Sequence, residues 1–155
     1  MPKVNDTHYV LWTDDEMNLL EGTDLEMGVK IGKPSLLARY KEVVELLPDF
    51  GLKHSLYDWM EAVVLFASRN FSYAKENKEG RHSVIVPLAD LFNHKNPADL
   101  HWKFEIDSHG ERAFVYDALR NIEQGEEVSI SYGAKDNQNL LSTYGFMIPD
   151  NPQTR

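Results

Sequence analysis

Apolar positions recur at helical spacing through the first half of the chain and alternate with polar ones through much of the second. In "SLLARYKEVVELL", Leu36, Leu37, Tyr40, Val43, Val44 and Leu47 fall three or four residues apart, the pattern of one buried helix face. Pro34 stands where a first helical residue belongs and Pro48 stops the run, so a helix is predicted between them. Ahead of it, "WTDDEMNLLEG" predicts a shorter helix: Thr13 precedes Glu16 by the spacing of a capping box, and Gly22 ends it. A third helix is signalled by "SLYDWMEAVVLFASRN", with Ser55 as cap and Leu56, Trp59, Met60 and Val63 on one face. These stripes are core faces and carry no chemistry by themselves.

From about Ser83 the period shortens. "SVIVPL", "HWKFEI", "RAFVYDAL" and "EVSISY" read as four strands; "DSHGE" makes a hairpin turn between the second and third, and "NIEQGEE" separates the third and fourth. A short helix, "NQNLLSTYG", follows, with Gly145 at its C-terminal cap. "AKENKEGRHS" carries many charges and no apolar anchor, which predicts a mobile loop. Helices followed by a group of strands imply an α+β domain.

Composition narrows the classes. At 155 residues, 42% hydrophobic and 26% charged, the chain has the make-up of one globular domain. A formal charge of −9 argues against nucleic-acid binding, which needs a basic surface to displace counterions from phosphates. The same charge suits a basic partner, such as a lysine-bearing protein tail or a cationic cofactor. With no cysteine, disulfides, thiol nucleophiles and thiolate metal sites are excluded. No apolar run approaches the length that spans a bilayer, so no membrane role is expected. "MPKVNDTHYVLW" lacks the layout of a secretory signal, which leaves cytoplasm or nucleus as the expected compartment.

The candidate chemistry centres on "LADLFNHKNPADLHW". Asn93 and His94, two groups that demand hydrogen bonds, stand at the mouth of the apolar run "VIVPL". Either they turn the chain ahead of Lys-Asn-Pro, or they hold a ligand in a crevice. Other polar and aromatic positions have equally plain structural readings. Tyr132 at a strand end can be a core tyrosine bonded to backbone. Arg69 can meet the last carbonyls of its helix. Tyr144 and Phe146 flank a capping glycine and can pack around it. Asp90, His94 and His101 make a poor metal set, because the segment is not clearly helical and no ligand geometry follows from the spacing. No G-x-S-x-G elbow occurs to support hydrolysis by a serine nucleophile.

Three stretches taken in order change this weighting: "SRNFSYA", "PLADLFNH" and "GEEVSISYGAKDNQNLLSTYGF". Together they resemble the C-terminal half of a SET domain, and within that family the non-histone branch typified by the Rubisco large-subunit methyltransferase. There "LADLxNH" is followed by a hairpin, then "GEE", then a strand ending in Tyr-Gly, then a helix ending "YGF". "WTDDEMNLLEGTDLEMGV" is similar to the start of the helical insert of that branch, so the likeness runs from Trp12 to about Asn151. The resemblance implies a fold with an N-terminal helical insert of about three helices (residues 12–80), packed with the short strands of a partial SET domain (83–148) and one short C-terminal helix. On this reading the N-terminal SET strands and the C-terminal substrate-binding domain are absent.

It also implies an activity, protein-lysine N-methylation with S-adenosylmethionine as cofactor. Carried over residue by residue, Asn93 and His94 hold the cofactor, Arg69 lies by its carboxylate and Phe71 packs on its adenine. Tyr132 is the catalytic tyrosine, and Asp90, Tyr144 and Phe146 line the site of the substrate side chain. The partner is a protein presenting a lysine, or a histidine as in one branch of the family, and a second chain completing the SET sheet is a further expected partner. Such chemistry suits these residue types. Methyl transfer from a sulfonium to an amine is an in-line displacement, so alignment and exclusion of water do the work. A dry aromatic channel favours the neutral lysine that must attack. A tyrosine hydroxyl can orient that nitrogen while staying uncharged. An arginine fork matches a carboxylate.

Two departures stand out: Tyr73 occupies a position where relatives often carry a second arginine, and none of the nine glycines forms the Gly-x-Gly pair of the family's cofactor loop. The enzyme reading therefore stands beside a second one, a catalytically inactive SET remnant that acts as a protein-interaction module.

Overall fold

A computed structural model of the chain describes residues 8–74 and 81–154. The chain divides into two compact units, one made of Met1–Ile85 with Lys135–Arg155, the other of Val86–Ala134.

The first unit is mainly helical. A 3-10 turn, Tyr9–Leu11, opens on His8, whose Nδ1 accepts the Val10 N–H at 3.2 Å. Helix α1 (Asp14–Asn18) begins on the predicted capping box: Glu16 takes the Thr13 N–H at 2.7 Å while Thr13 Oγ1 takes the Glu16 N–H at 3.3 Å. Helix α2 (Leu25–Leu46) starts nine residues before Pro34, which lies inside it rather than at its first turn. Local preference starts the helix at Pro34, because proline cannot supply the N–H that the Lys30 carbonyl expects. Tertiary contacts override that cost. Val29 is buried, and Lys33 Nζ donates to the Trp12 carbonyl. At Gly32 a Cβ would come within 2.9 Å of the Tyr9 hydroxyl, so the missing side chain lets the 3-10 turn lie against α2.

Pro48 ends α2 and starts helix α3 (Pro48–Lys53), the two roles a first-turn proline combines. Helix α4 (Leu56–Arg69) carries a second capping box, Ser55 with Asp58. Strand β1 (Phe71–Ala74) pairs antiparallel with β2 (Arg81–Val84), Phe71 opposite Val84. The expected loop "AKENKEGRHS" is thus partly strand, and residues 75–80 lie outside the described residues. Helix α5 (Asn137–Tyr144) is capped by Asp136 and closed by Gly145 at φ 76°. The core of this unit sits where Val10 and Val64 meet Tyr9, Leu11, Leu36, Met60 and Leu65, and Leu140 of α5 is fully buried.

The second unit is a four-stranded sheet. A 3-10 turn, Ala89–Leu91, leads into β3 (Asn93–His94); β4 (Leu100–Ile106) and β5 (Arg112–Ala118) form a hairpin; β6 (Ser129–Ile130) completes the order β3-β6-β4-β5. The hairpin matches the predicted strands, and its turn closes on Asp107, whose Oδ1 accepts the N–H groups of His109 and Glu111. Register places Trp102 opposite Tyr116 and Phe104 opposite Phe114, one aromatic face, while Lys103 on the other face pairs with Glu105 and Asp117.

Two expectations are corrected here. "SVIVPL" is not one strand: the ladder stops at Val84, Pro87 offers no N–H, and Leu88 turns the chain at φ 71°. "EVSISY" shrinks to the two residues of β6, which pairs parallel with β3 (Asn93 opposite Ser129, His94 opposite Ile130) and touches β4 only through Ile130 and Leu100. Asn93 and His94 are therefore strand residues, and the turn comes after them. No described helix is long and apolar enough to cross a membrane.

Candidate active site

In the second unit, the position of Tyr132 is set three residues upstream, at Ser129. Asp99, 2% exposed, accepts from Ser129 with one carboxylate oxygen, at 3.0 Å from the backbone N–H and 2.7 Å from the hydroxyl. Its other oxygen takes the Arg120 Nε–H at 2.6 Å, and Arg120 is itself held by Glu126 at 2.7 Å. The Ser129 hydroxyl and the Arg120 guanidinium hold the Asp99 carboxyl well below the usual carboxylate range. Backbone bonds run in parallel: Asp99 N–H to the Ser129 carbonyl at 3.1 Å, and Lys95 N–H to the Ile130 carbonyl at 3.0 Å. A strand of two residues is thereby locked in one register.

Three residues beyond Ser129, the Tyr132 N–H donates to His94 Nδ1 at 3.0 Å, and the two rings stack with centroids 5.0 Å apart. Because Nδ1 accepts, a neutral His94 carries its proton on Nε2. The Tyr132 hydroxyl donates to the Phe92 carbonyl at 2.8 Å. Asn93, between Phe92 and His94, gives its amide to Glu127 Oε1 at 2.6 Å, and both side chains are exposed. Asp90 lies in the 3-10 turn, half-buried, and its charge reaches Tyr116. Of the residues expected to gather here, His94 and Tyr132 meet ring to ring, while Asn93 turns its carboxamide to Glu127. The described residues contain no group of three histidines or carboxylates placed to hold a metal.

The first unit positions the other four. Arg69 is the last residue of α4, half-buried, and Phe71 is the buried first residue of β1. Tyr144 closes α5, and Phe146 follows the left-handed Gly145, with ring centroids 6.2 Å apart. Lys135 Nζ lies 5.9 Å from the Tyr144 ring centre, within cation–π range. Tyr73 stacks obliquely on His82 across β1 and β2.

Three residues that shape this geometry carry no role in the sequence reading, although Glu127 lies within the "GEE" motif. Asp99 and Glu127 look like solvated surface charges on a sequence page, and only the fold brings them to Ser129 and Asn93. Tyr116 offered a signal: a tyrosine alternating with Phe114 on an inward strand face needs a partner for its hydroxyl. That partner is the Ala89 carbonyl, at 2.7 Å.

A tyrosine and a histidine are thus pinned to each other beside a strand-end carbonyl, on a two-residue parallel ladder. The chain belongs to the SET domain family, whose model matches residues 7–133. It is 32% identical over 157 residues to the chloroplastic [fructose-bisphosphate aldolase]-lysine N-methyltransferase of Arabidopsis thaliana, covering 93% of this chain and 31% of that protein. With the human N-lysine methyltransferase SETD6 it shares 30% identity over 153 residues, 92% of this chain and 31% of the relative. The SET domain of LSMT, solved with lysine and AdoHcy, has a similar fold: TM-score 0.73 and 24% identity, over 95% of this chain and 34% of that one. The chain spans about a third of the length of the curated relatives it matches.

Proposed function

We propose that this chain forms part of a protein-lysine N-methyltransferase that uses S-adenosylmethionine. The observation that carries the reading is the His94–Tyr132–Phe92 arrangement within a chain of the SET family. Both relatives named above are lysine N-methyltransferases, and that activity is the one carried over.

The donor set suits the cofactor. Asn93 spends its amide N–H on Glu127, so its carboxamide oxygen and the Glu127 carboxylate form an acceptor pair of the kind that receives an ammonium group. When bound, S-adenosylmethionine supplies an electrophilic methyl on a sulfonium sulfur. Tyr132 directs its own hydrogen into the Phe92 carbonyl, and a phenol oxygen that donates in this way is of the type that accepts an N–H from an amine. Accepting that N–H would orient the nitrogen lone pair, the kind of alignment an in-line displacement needs. His94 keeps the Tyr132 ring in place from behind. Arg69 and Phe71 take the family's roles toward the cofactor carboxylate and adenine; Asp90, Tyr144 and Phe146 take its roles toward the lysine side chain.

The test is binding and transfer of labelled S-adenosylmethionine with a lysine-bearing protein as acceptor. Binding that Asn93→Ala abolishes, and transfer that Tyr132→Phe abolishes with binding kept, support the assignment. No binding at millimolar cofactor retires activity of this chain by itself and favours a protein-interaction module. Label found on histidine instead of lysine corrects the acceptor and leaves the site standing.

A further inference from the structure

Tyr116 stands in β5 on the aromatic face formed with Trp102, Phe104 and Phe114. Its hydroxyl leaves that face to donate to the Ala89 carbonyl at 2.7 Å. Its ring meets Phe92 edge-on with centroids 5.0 Å apart, and Phe114 edge-on at 5.2 Å. Ala89 opens the 3-10 turn and Phe92 follows its end. The Phe92 carbonyl, in turn, accepts the Tyr132 hydroxyl at 2.8 Å. Two tyrosines thus grip the two ends of one short turn.

That turn needs an external hold. Leu88 enters it at φ 71° and ψ −39°, a region a leucine occupies only under constraint, and its side chain is 79% exposed, so packing does not impose the conformation. The backbone bonds that close the turn are long: Asp90 N–H to the Val86 carbonyl at 3.2 Å and Leu91 N–H to the Leu88 carbonyl at 3.3 Å. The shorter bond from Tyr116 is the firmest tie on its entry side.

We infer that Tyr116 is a positioning residue for methyl transfer: by fixing Ala89 it fixes the Phe92 carbonyl, and through that carbonyl the direction of the Tyr132 hydroxyl. This rests on the reading of the chain as part of a lysine methyltransferase. Tyr116 touches no reacting atom; it acts through the turn. Burial, with the charge of Asp90 and the neighbouring Tyr132 adding to it, pushes the Tyr116 hydroxyl up to about 12, so it remains a donor wherever a lysine methyltransferase is assayed.

Tyr116→Phe removes the bond to Ala89 and keeps the ring contacts with Phe92 and Phe114. The expected result is a kcat about ten- to a hundredfold lower, the scale of a small misplacement of a reacting group, with KM for S-adenosylmethionine unchanged. In protein carrying tyrosine labelled with carbon-13 at the ζ position, the Tyr132 resonance, assigned by its loss in Tyr132→Phe, is expected to move in Tyr116→Phe. Both measurements are made below the melting temperature of the variant. An unchanged kcat, or a Tyr132 resonance that does not move, overturns the inference. The resonance needs no turnover, so the two readings fail separately. A wild-type chain that transfers no methyl defeats the reading of this chain as active by itself, while the resonance still reports whether Tyr116 governs Tyr132.

Discussion

Ser129→Ala removes a single oxygen from the most connected point of the second unit. That oxygen donates to Asp99 at 2.7 Å, and Ser129 is 4% exposed, so water cannot take its place. The Asp99 carboxylate keeps two donors after the change, the Ser129 backbone N–H at 3.0 Å and the Arg120 Nε–H at 2.6 Å. The loss is therefore one hydrogen bond to a charged acceptor, about 1.5–3 kcal/mol. At this chain length about 2–4 °C of melting temperature goes with each kcal/mol, so a fall of about 3–12 °C is expected. The register of β6 is what that bond helps to hold. Amide exchange at Ser129 and at Tyr132, whose N–H is bound to His94, is expected to quicken. Asp99→Asn is expected to do more harm, because in either orientation its NH2 group faces at least one donor and the charge that pairs with Arg120 is lost. Since Asp99 titrates below its ordinary value of 3.8, its contribution is complete above that pH and fades only as the pH falls beneath it. A Ser129→Ala protein with wild-type melting and unchanged exchange at Tyr132 would refute the clamp.

Other outcomes follow from the first unit. Leu140→Ala empties a fully buried position on α5 and is expected to cost about 2–5 kcal/mol, read by denaturant unfolding. Pro34→Ala restores an N–H within α2 and removes a ring from its interior; it is expected to stabilise by up to about 3 kcal/mol, seen as higher melting and greater helicity. Burial holds His8 below its ordinary value of 6.5, although a bond to the Ser142 backbone opposes the shift. The unfolded chain then binds the proton more readily, so stability is flat above about pH 7 and declines as the pH falls through 6.5. That decline is expected to flatten in His8→Gln. Ser55→Ala removes half of the α4 capping box and is expected to cost about 1 kcal/mol.

The local elements were determined by sequence where the cause is local. The capping boxes at Thr13 and Ser55, the β4–β5 hairpin around Asp107 and the glycine cap of α5 involve residues a few positions apart, so spacing alone specifies them. The ordered motifs around Asn93, Tyr132 and Tyr144 likewise carried the family, because motif order survives without knowledge of the fold. Where distant residues compete with local preference, tertiary structure decided. Helix α2 runs through Pro34 because Val29 is buried and Tyr9 and Lys33 hold the helix to the N-terminal segment, contacts no window of sequence contains. β6 keeps two residues because Asp99, thirty positions away, takes the Ser129 N–H and hydroxyl. The Tyr132 hydroxyl, forty positions from Phe92, faces its carbonyl only because a parallel ladder sets Asn93 beside Ser129 and His94 beside Ile130. Short-range steric and capping energies are written in neighbouring letters; partners of buried hydrogen bonds are chosen by the fold that excludes water around them.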